Sequence, residues 1–170
     1  MFGMLMAVAM PAFSTFMQNR QILALANSFN TALQTARTEA IRRNIDTQFV
    51  QLAISKPATE VSINEATGDV DGQNWIIRSV SGGAFQFIEG RGAQQGGTQR
   101  VSVTGGQPMV TFNALGVTGL AANTIFLFSP VGATCTAADA IRCLSVRLSA
   151  SGQSRLCDPL IAAPTDTRTC

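Results

Sequence analysis

Side chains able to do chemistry are scarce in this chain. Histidine and tyrosine are both missing from its 170 residues, which removes the usual general base, the commonest metal ligand and the phenolic acid. Ser55-Lys56 has the residue types of a serine–lysine dyad. Adjacent residues at a strand end do not converge, however, and Pro57 follows at once, so the pair reads as a surface turn. Asp69-Val70-Asp71-Gly72 has the composition of a calcium-loop fragment, yet the first ligand position would fall on Thr67 and the bidentate acid on Arg78, so it reads as a tight turn. The glycine-rich stretch from Glu89 to Thr98 lacks the lysine and following helix of a phosphate cradle and is expected to be a mobile loop. No catalytic residue, metal set or cofactor is expected, and the chain does not read as an enzyme.

What remains is cysteine and arginine. Cys135, Cys143, Cys157 and Cys170 stand 8, 14 and 13 positions apart with no C-x-x-C pair, so zinc is a poor fit. An even number gathered in one loop-rich region points instead to disulfides formed in an oxidising compartment, hence to export. In the same region Leu144, Val146 and Leu148 alternate with Ser145, Arg147 and Ser149, one face buried and one wet. A three-residue turn at Ala150-Ser151-Gly152 sets Val146 opposite Leu156 and Arg147 opposite Arg155. A two-residue turn would place Arg155 opposite Leu148 on the buried face, so the three-residue register is preferred. It leaves two like charges side by side, which is unfavourable unless the side chains splay into solvent or an anion or acidic partner lies over them. Cys157 then opposes Ser145 and is only diagonal to Cys143. Of three possible connectivities this favours Cys135–Cys143 and Cys157–Cys170, the second closing the tail from Asp158 onto the last strand.

The elements that must carry these residues follow from composition and period. Apolar residues make up 46% and charged residues 13%, about half the usual charge, which suggests burial in a membrane or an assembly. A net charge of +2, from eleven arginines and one lysine against ten acids, gives no general field for nucleic acid. Residues 1–13 are wholly apolar and would span roughly 20 Å as a helix, short of the ~30 Å hydrocarbon core, so they read as part of a membrane span. From residue 14 to about Asn44, Ile22, Leu25, Ala26, Phe29, Leu33, Ala36 and Ala40 recur at steps of three and four, predicting an amphipathic continuation of that helix. Residues 45–170 form the head. Strands are expected at 47–54, 61–64, 75–80, 85–89, 100–104, 109–113, 124–129, 144–149 and 154–157, with glycine and proline between them. The fold class is α+β, a long helix packed on an antiparallel, β-rich head.

Three stretches resemble the GspH/FimT family of type IV minor pilins and type II secretion pseudopilins. They are Gly3 and Pro11, eight apart in the apolar helix; Ala36-Arg37-Thr38-Glu39-Ala40-Ile41-Arg42-Arg43-Asn44, similar to the family's A-R-S-E-A-I-x-R-N; and Ser149 to Pro159, similar to its closing S-x-x-G-R-x-R. The resemblance implies a structural subunit in a pilus tip or priming complex. Its partners would be other minor pilins and the major pilin or pseudopilin. It would sit in the inner membrane before assembly, single-pass with a periplasmic head, and in the filament afterwards. Gly3, Pro11, Phe13 and Phe16 would serve helix packing. Family members carry a basic leader, a cleavage site and a nearby glutamate ahead of the glycine; none precedes Gly3 here, and Met1 reads as an internal methionine. Some members are thought to bind DNA through two arginines of the closing motif. Gln153 stands at the first position and Arg155 at the second, with Arg147 able to substitute geometrically, so Arg147 and Arg155 are the DNA-binding candidates.

Overall fold

The computed structural model describes residues 2–96, 100–132, 135–136, 141–163 and 165–170, and side chains from residue 13 onward apart from those of 95–96. One helix, α1 (Phe2–Arg43), runs for 42 residues, about 63 Å at 1.5 Å per residue. Its helical assignment continues through Gly3 and Pro11. The end is set by a Schellman motif: Asn44 takes φ 54°, its N–H donates to Ile41 O, and the N–H of Ile45 donates to Ala40 O. Asparagine tolerates the left-handed conformation that most residues resist, which explains the Asn closing the helical motif. Glu39 accepts from Arg42 Nη2 at 2.7 Å and from Arg43 Nε at 2.7 Å, placing two cations at the negative end of the helix.

The expected membrane-crossing helix is not found. Among the described residues no helix is long and apolar enough to cross a membrane, because the apolar run stops at Phe13 and Ser14, Thr15, Gln18, Asn19 and Arg20 follow. The transmembrane reading and the single-pass inner-membrane placement drawn from it are corrected accordingly.

Eight strands form two antiparallel four-stranded sheets. The first, in order β3-β2-β1-β5, holds β1 (Asp46–Leu52), β2 (Asn74–Ser81), β3 (Ala84–Arg91) and β5 (Met109–Phe112). The second, in order β4-β6-β7-β8, holds β4 (Val101–Gly105), β6 (Thr124–Pro130), β7 (Leu144–Leu148) and β8 (Ser154–Cys157). Both lay their apolar faces on α1, and Phe29 is the joint. Fully buried, its ring centroid lies 5.5 Å from that of Phe49 in the first sheet and 5.2 Å from that of Phe128 in the second. Ala36 and Ala40, also fully buried, let the strands approach the helix backbone closely, which larger side chains would prevent.

Two expectations fail for physical reasons. The strand expected at 61–64 is replaced by a 3-10 turn, Glu60–Ser62, in which Ser62 Oγ donates to Pro57 O at 2.6 Å and Val61 points outward, 83% exposed. The segment between β1 and β2 instead covers the outer face of the first sheet and is pinned by Arg78. This arginine is 1% exposed, donates to Gln48 Oε1 at 2.9 Å and to Ile63 O, and stacks 3.8 Å from the Phe85 ring centroid. Burial pushes its pKa down, with the charge of Glu65 opposing. The expected mobile loop from Glu89 is ordered over its first part: β3 runs to Arg91 and a 3-10 turn spans Ala93–Gly96. Gly90 permits this, since a Cβ there would lie 2.3 Å from Ala58 O, and Asn74 Oδ1 accepts from Ala93 N at 2.7 Å. The last two residues of that stretch, 97 and 98, lie outside the described residues.

Candidate functional site

The closing hairpin, β7 and β8, sits at the edge of the second sheet, and a strap described over residues 158–163 and 165–170 folds back along it. Pairing is in the three-residue register, with Val146 opposite Leu156, Arg147 opposite Arg155 and Ser145 opposite Cys157. Gly152 takes φ 80°, and its N–H donates to Ser149 O at 2.9 Å. The position demands glycine twice over, because a Cβ there would lie 2.1 Å from Gly116 O. That carbonyl belongs to a compact loop, 113–118. Asn113 Oδ1 accepts from the N–H groups of Leu115 and Val117, both at 3.0 Å, and the Asn113 carbonyl accepts from Gly116 N at 2.8 Å. Thr118 ties the loop to the hairpin, its N–H at 3.1 Å and its Oγ1 at 3.0 Å from Ala150 O. The helix meets the same point: a Cβ on Gly116 would lie 2.7 Å from Ile41 Cδ1 and 3.0 Å from Arg37 Nε. The two family-like motifs, at Arg37 and Gly152, thus converge on one loop. Its sequence signal is Asn113 and Gly116, both turn residues, which the reading of the strands passed over.

Disulfides join Cys135 to Cys143 and Cys157 to Cys170, the pairing the hairpin register favours. The second bridge fastens the strap, and the arginine pair fastens it again. Arg147 Nη1 donates to Cys170 O, while Arg155 Nη2 donates to Thr169 O at 2.9 Å and Nη1 to Thr167 O at 3.4 Å. Backbone carbonyls therefore draw off the repulsion between two guanidinium groups that face each other across the ladder. Asp158 N donates to Arg168 O at 2.7 Å, and within the strap Arg168 holds the Asp166 carboxyl down to about 2. Beside the strap an open groove of about 370 Å³ is lined by Arg147, Ser149, Gln153, Ser154 and Arg155. It is polar and shallow, suited to contact with an extended anionic chain rather than to enclosing a small substrate.

The other candidate surface is the early part of α1. Phe13 is 66% and Phe16 52% exposed, and Met17 is exposed beside them; head residues bury the helix from Ile22 onward. Gly3 and Pro11 fall on α1 where only the backbone is described. Among the described residues no group of three or more His, Cys, Asp or Glu side chains could hold a metal ion.

Known proteins share this arrangement. The type IV minor pilin FimU of Pseudomonas aeruginosa superposes with TM-scores of 0.59 and 0.56 in two crystal forms. Both show 18% identity, covering 83% and 79% of this chain and 91% and 90% of FimU. The minor pseudopilin EpsH of the Vibrio cholerae type 2 secretion system superposes at 0.51 with 16% identity, covering 79% of this chain and 94% of EpsH. At such identities the likeness is one of fold. No curated protein sequence matches the chain. The family model described as type II transport protein GspH matches residues 25–152, a span that takes in most of the buried face of α1, the seven strands β1 to β7, the hairpin turn and the loop at Gly116, and the chain therefore belongs to the GspH family of structural pilin and pseudopilin subunits.

Proposed function

We propose that this subunit works as a minor pilin in the tip or priming complex of a type IV pilus. It would enter the filament by packing α1 against the helices of sibling subunits, while the head sets which sibling lies next to it. One observation carries the reading: among the described side chains of α1, from residue 13 onward, the head buries those from Ile22 on, and Phe13, Phe16 and Met17 lie open. Large exposed apolar side chains aligned on a protruding helix are costly in water and need a partner surface. The fold likeness to FimU supports the pilus, and the family description supports a secretion pseudopilus as the alternative machine. In-frame deletion with complementation separates them. Loss of surface pili with protein secretion intact supports the pilus; loss of secretion with pili intact assigns the chain to the pseudopilus; loss of neither refutes both.

A second reading is favoured by the groove at Arg147 and Arg155, which suits the phosphates of DNA. Binding through phosphate contacts must weaken steeply with salt. A titration of the protein with duplex DNA across salt concentrations tests this. Affinity that is indifferent to salt, or unchanged by Arg147→Ala with Arg155→Ala, refutes it.

A further inference from the structure

The strap and the arginine pair are one device. Every described residue from Asp158 to Cys170 is at least partly exposed, so the strap has almost no core of its own. It is held by the Cys157–Cys170 bridge, by the Asp158 N–H on Arg168 O, and by three donations from Arg147 and Arg155 onto its carbonyls. Those guanidinium N–H groups are the ones an anion in the adjoining groove would need. A segment with so little burial stays in place only while its ends are tied.

We propose that the strap is a thiol-gated latch on the arginine pair, its carbonyls occupying the guanidinium donors while Cys157 and Cys170 are bridged and releasing them to phosphate in the adjoining groove once the bridge is reduced. The inference rests on the reading of this hairpin as a site for DNA phosphates and adds its regulation. The reductant is a dithiol. Cys157 is 3% exposed while Cys170 is more open, so the attacking thiolate forms a mixed disulfide with Cys170 Sγ and expels Cys157 as thiolate. The second thiol of the reductant then attacks its own sulfur in that mixed disulfide and releases Cys170. The dithiol ends as a cyclic disulfide, having given two electrons and two protons, and the protein holds two thiols. The other bridge has the same one-sided exposure, Cys143 buried at 1% and Cys135 more open, so the variant that replaces only Cys157 and Cys170 isolates the strap. With the tether gone, the strap carbonyls no longer outcompete a charged ligand for the guanidinium donors.

The test uses the full chain in two open forms, wild type reduced by a dithiol and Cys157→Ser with Cys170→Ser, each compared with the oxidised protein. Labelled duplex DNA and inorganic polyphosphate at low salt are the probes, and amide exchange at Asp158 and Thr169, whose N–H groups donate to Arg168 O and Asp166 O, is the readout that needs no ligand. Near-ultraviolet signal from Trp75, buried against Ser28, reports that the head remains folded. The expected result is loss of strap protection in both open forms and about tenfold tighter DNA binding, equivalent to one charge-assisted contact regained. The gain should vanish when Arg147→Ala and Arg155→Ala are added. Equal gain for polyphosphate means that any polyanion serves; gain for DNA alone means the duplex is read. Unchanged strap protection overturns the gate whether or not DNA binds. An open strap with unchanged, arginine-dependent binding overturns the gate but leaves the DNA reading standing, and an open strap with no binding in either state overturns both. Should the serine variant lose its Trp75 signal, Cys135→Ser with Cys143→Ser, in which the strap bridge alone remains, decides when its oxidised and reduced forms are compared.

Discussion

Gly152→Ala should destabilise the head far more than Gly82→Ala, although both glycines hold positive φ. Gly82, at φ 58°, lies in the two-residue turn between β2 and β3, and a Cβ there would meet nothing within 4 Å. Alanine at that site bears only the left-handed backbone penalty, about 1–2 kcal/mol. Gly152, at φ 80°, bears the same penalty and also drives a Cβ to 2.1 Å from Gly116 O. The clash is relieved only by moving the 113–118 loop, which weakens the two donations from Thr118 to Ala150 O, at about 1 kcal/mol each. The expected loss is therefore about 3–4 kcal/mol for Gly152→Ala, against about 1–2 for Gly82→Ala. Urea unfolding with both bridges intact measures the pair. Equal losses would show that the Gly116 carbonyl yields freely and that the convergence of hairpin, loop and helix is not a rigid contact.

Phe29→Ala removes the ring that joins both sheets to α1 and should cost about 3–5 kcal/mol in the same assay, whereas exposed Phe16→Ala should change stability by less than about 0.5 kcal/mol. Arg78→Ala leaves Ile63 O and Gln48 Oε1 without their donor beneath the 53–73 segment, so it should cost about 3–5 kcal/mol as the loss of a buried, bonded charge and raise amide exchange at Ile63. Asp166 should titrate in the folded protein with a midpoint of about 2 rather than near 3.8, read from its carboxyl carbon shift, and Arg168→Ala should restore the ordinary value. Because the folded pKa is the lower one, this pair supports the strap fully above about pH 3.8 and loses its effect as pH falls towards 2.

Much of this architecture was legible because its signals are local. The three-and-four spacing from Ile22 to Ala40 marks the buried face of α1, and alternation at 144–149 with Gly152 fixes the hairpin register that sets Arg147 against Arg155. Val61 misled because β propensity in an exposed segment carries no information about a partner strand; here proline and serine bonds hold a 3-10 turn instead. The reach of Gly116 O to Gly152, and of strap carbonyls to the arginines, is tertiary and has no periodic trace in the sequence. Residues 1–13 read as part of a membrane span, but the apolar run ends at Phe13 and no helix among the described residues is long and apolar enough to cross a membrane.

Photo-crosslinking from Phe16 in cells that assemble the filament tests the central claim most directly. A photoreactive residue at this exposed helical position should couple to a sibling pilin or pseudopilin, and a charged residue there should reduce assembly while the head stays folded. If Phe16 couples to nothing in assembled filaments and Phe16→Asp assembles normally, the helix is not the packing element and the account is wrong.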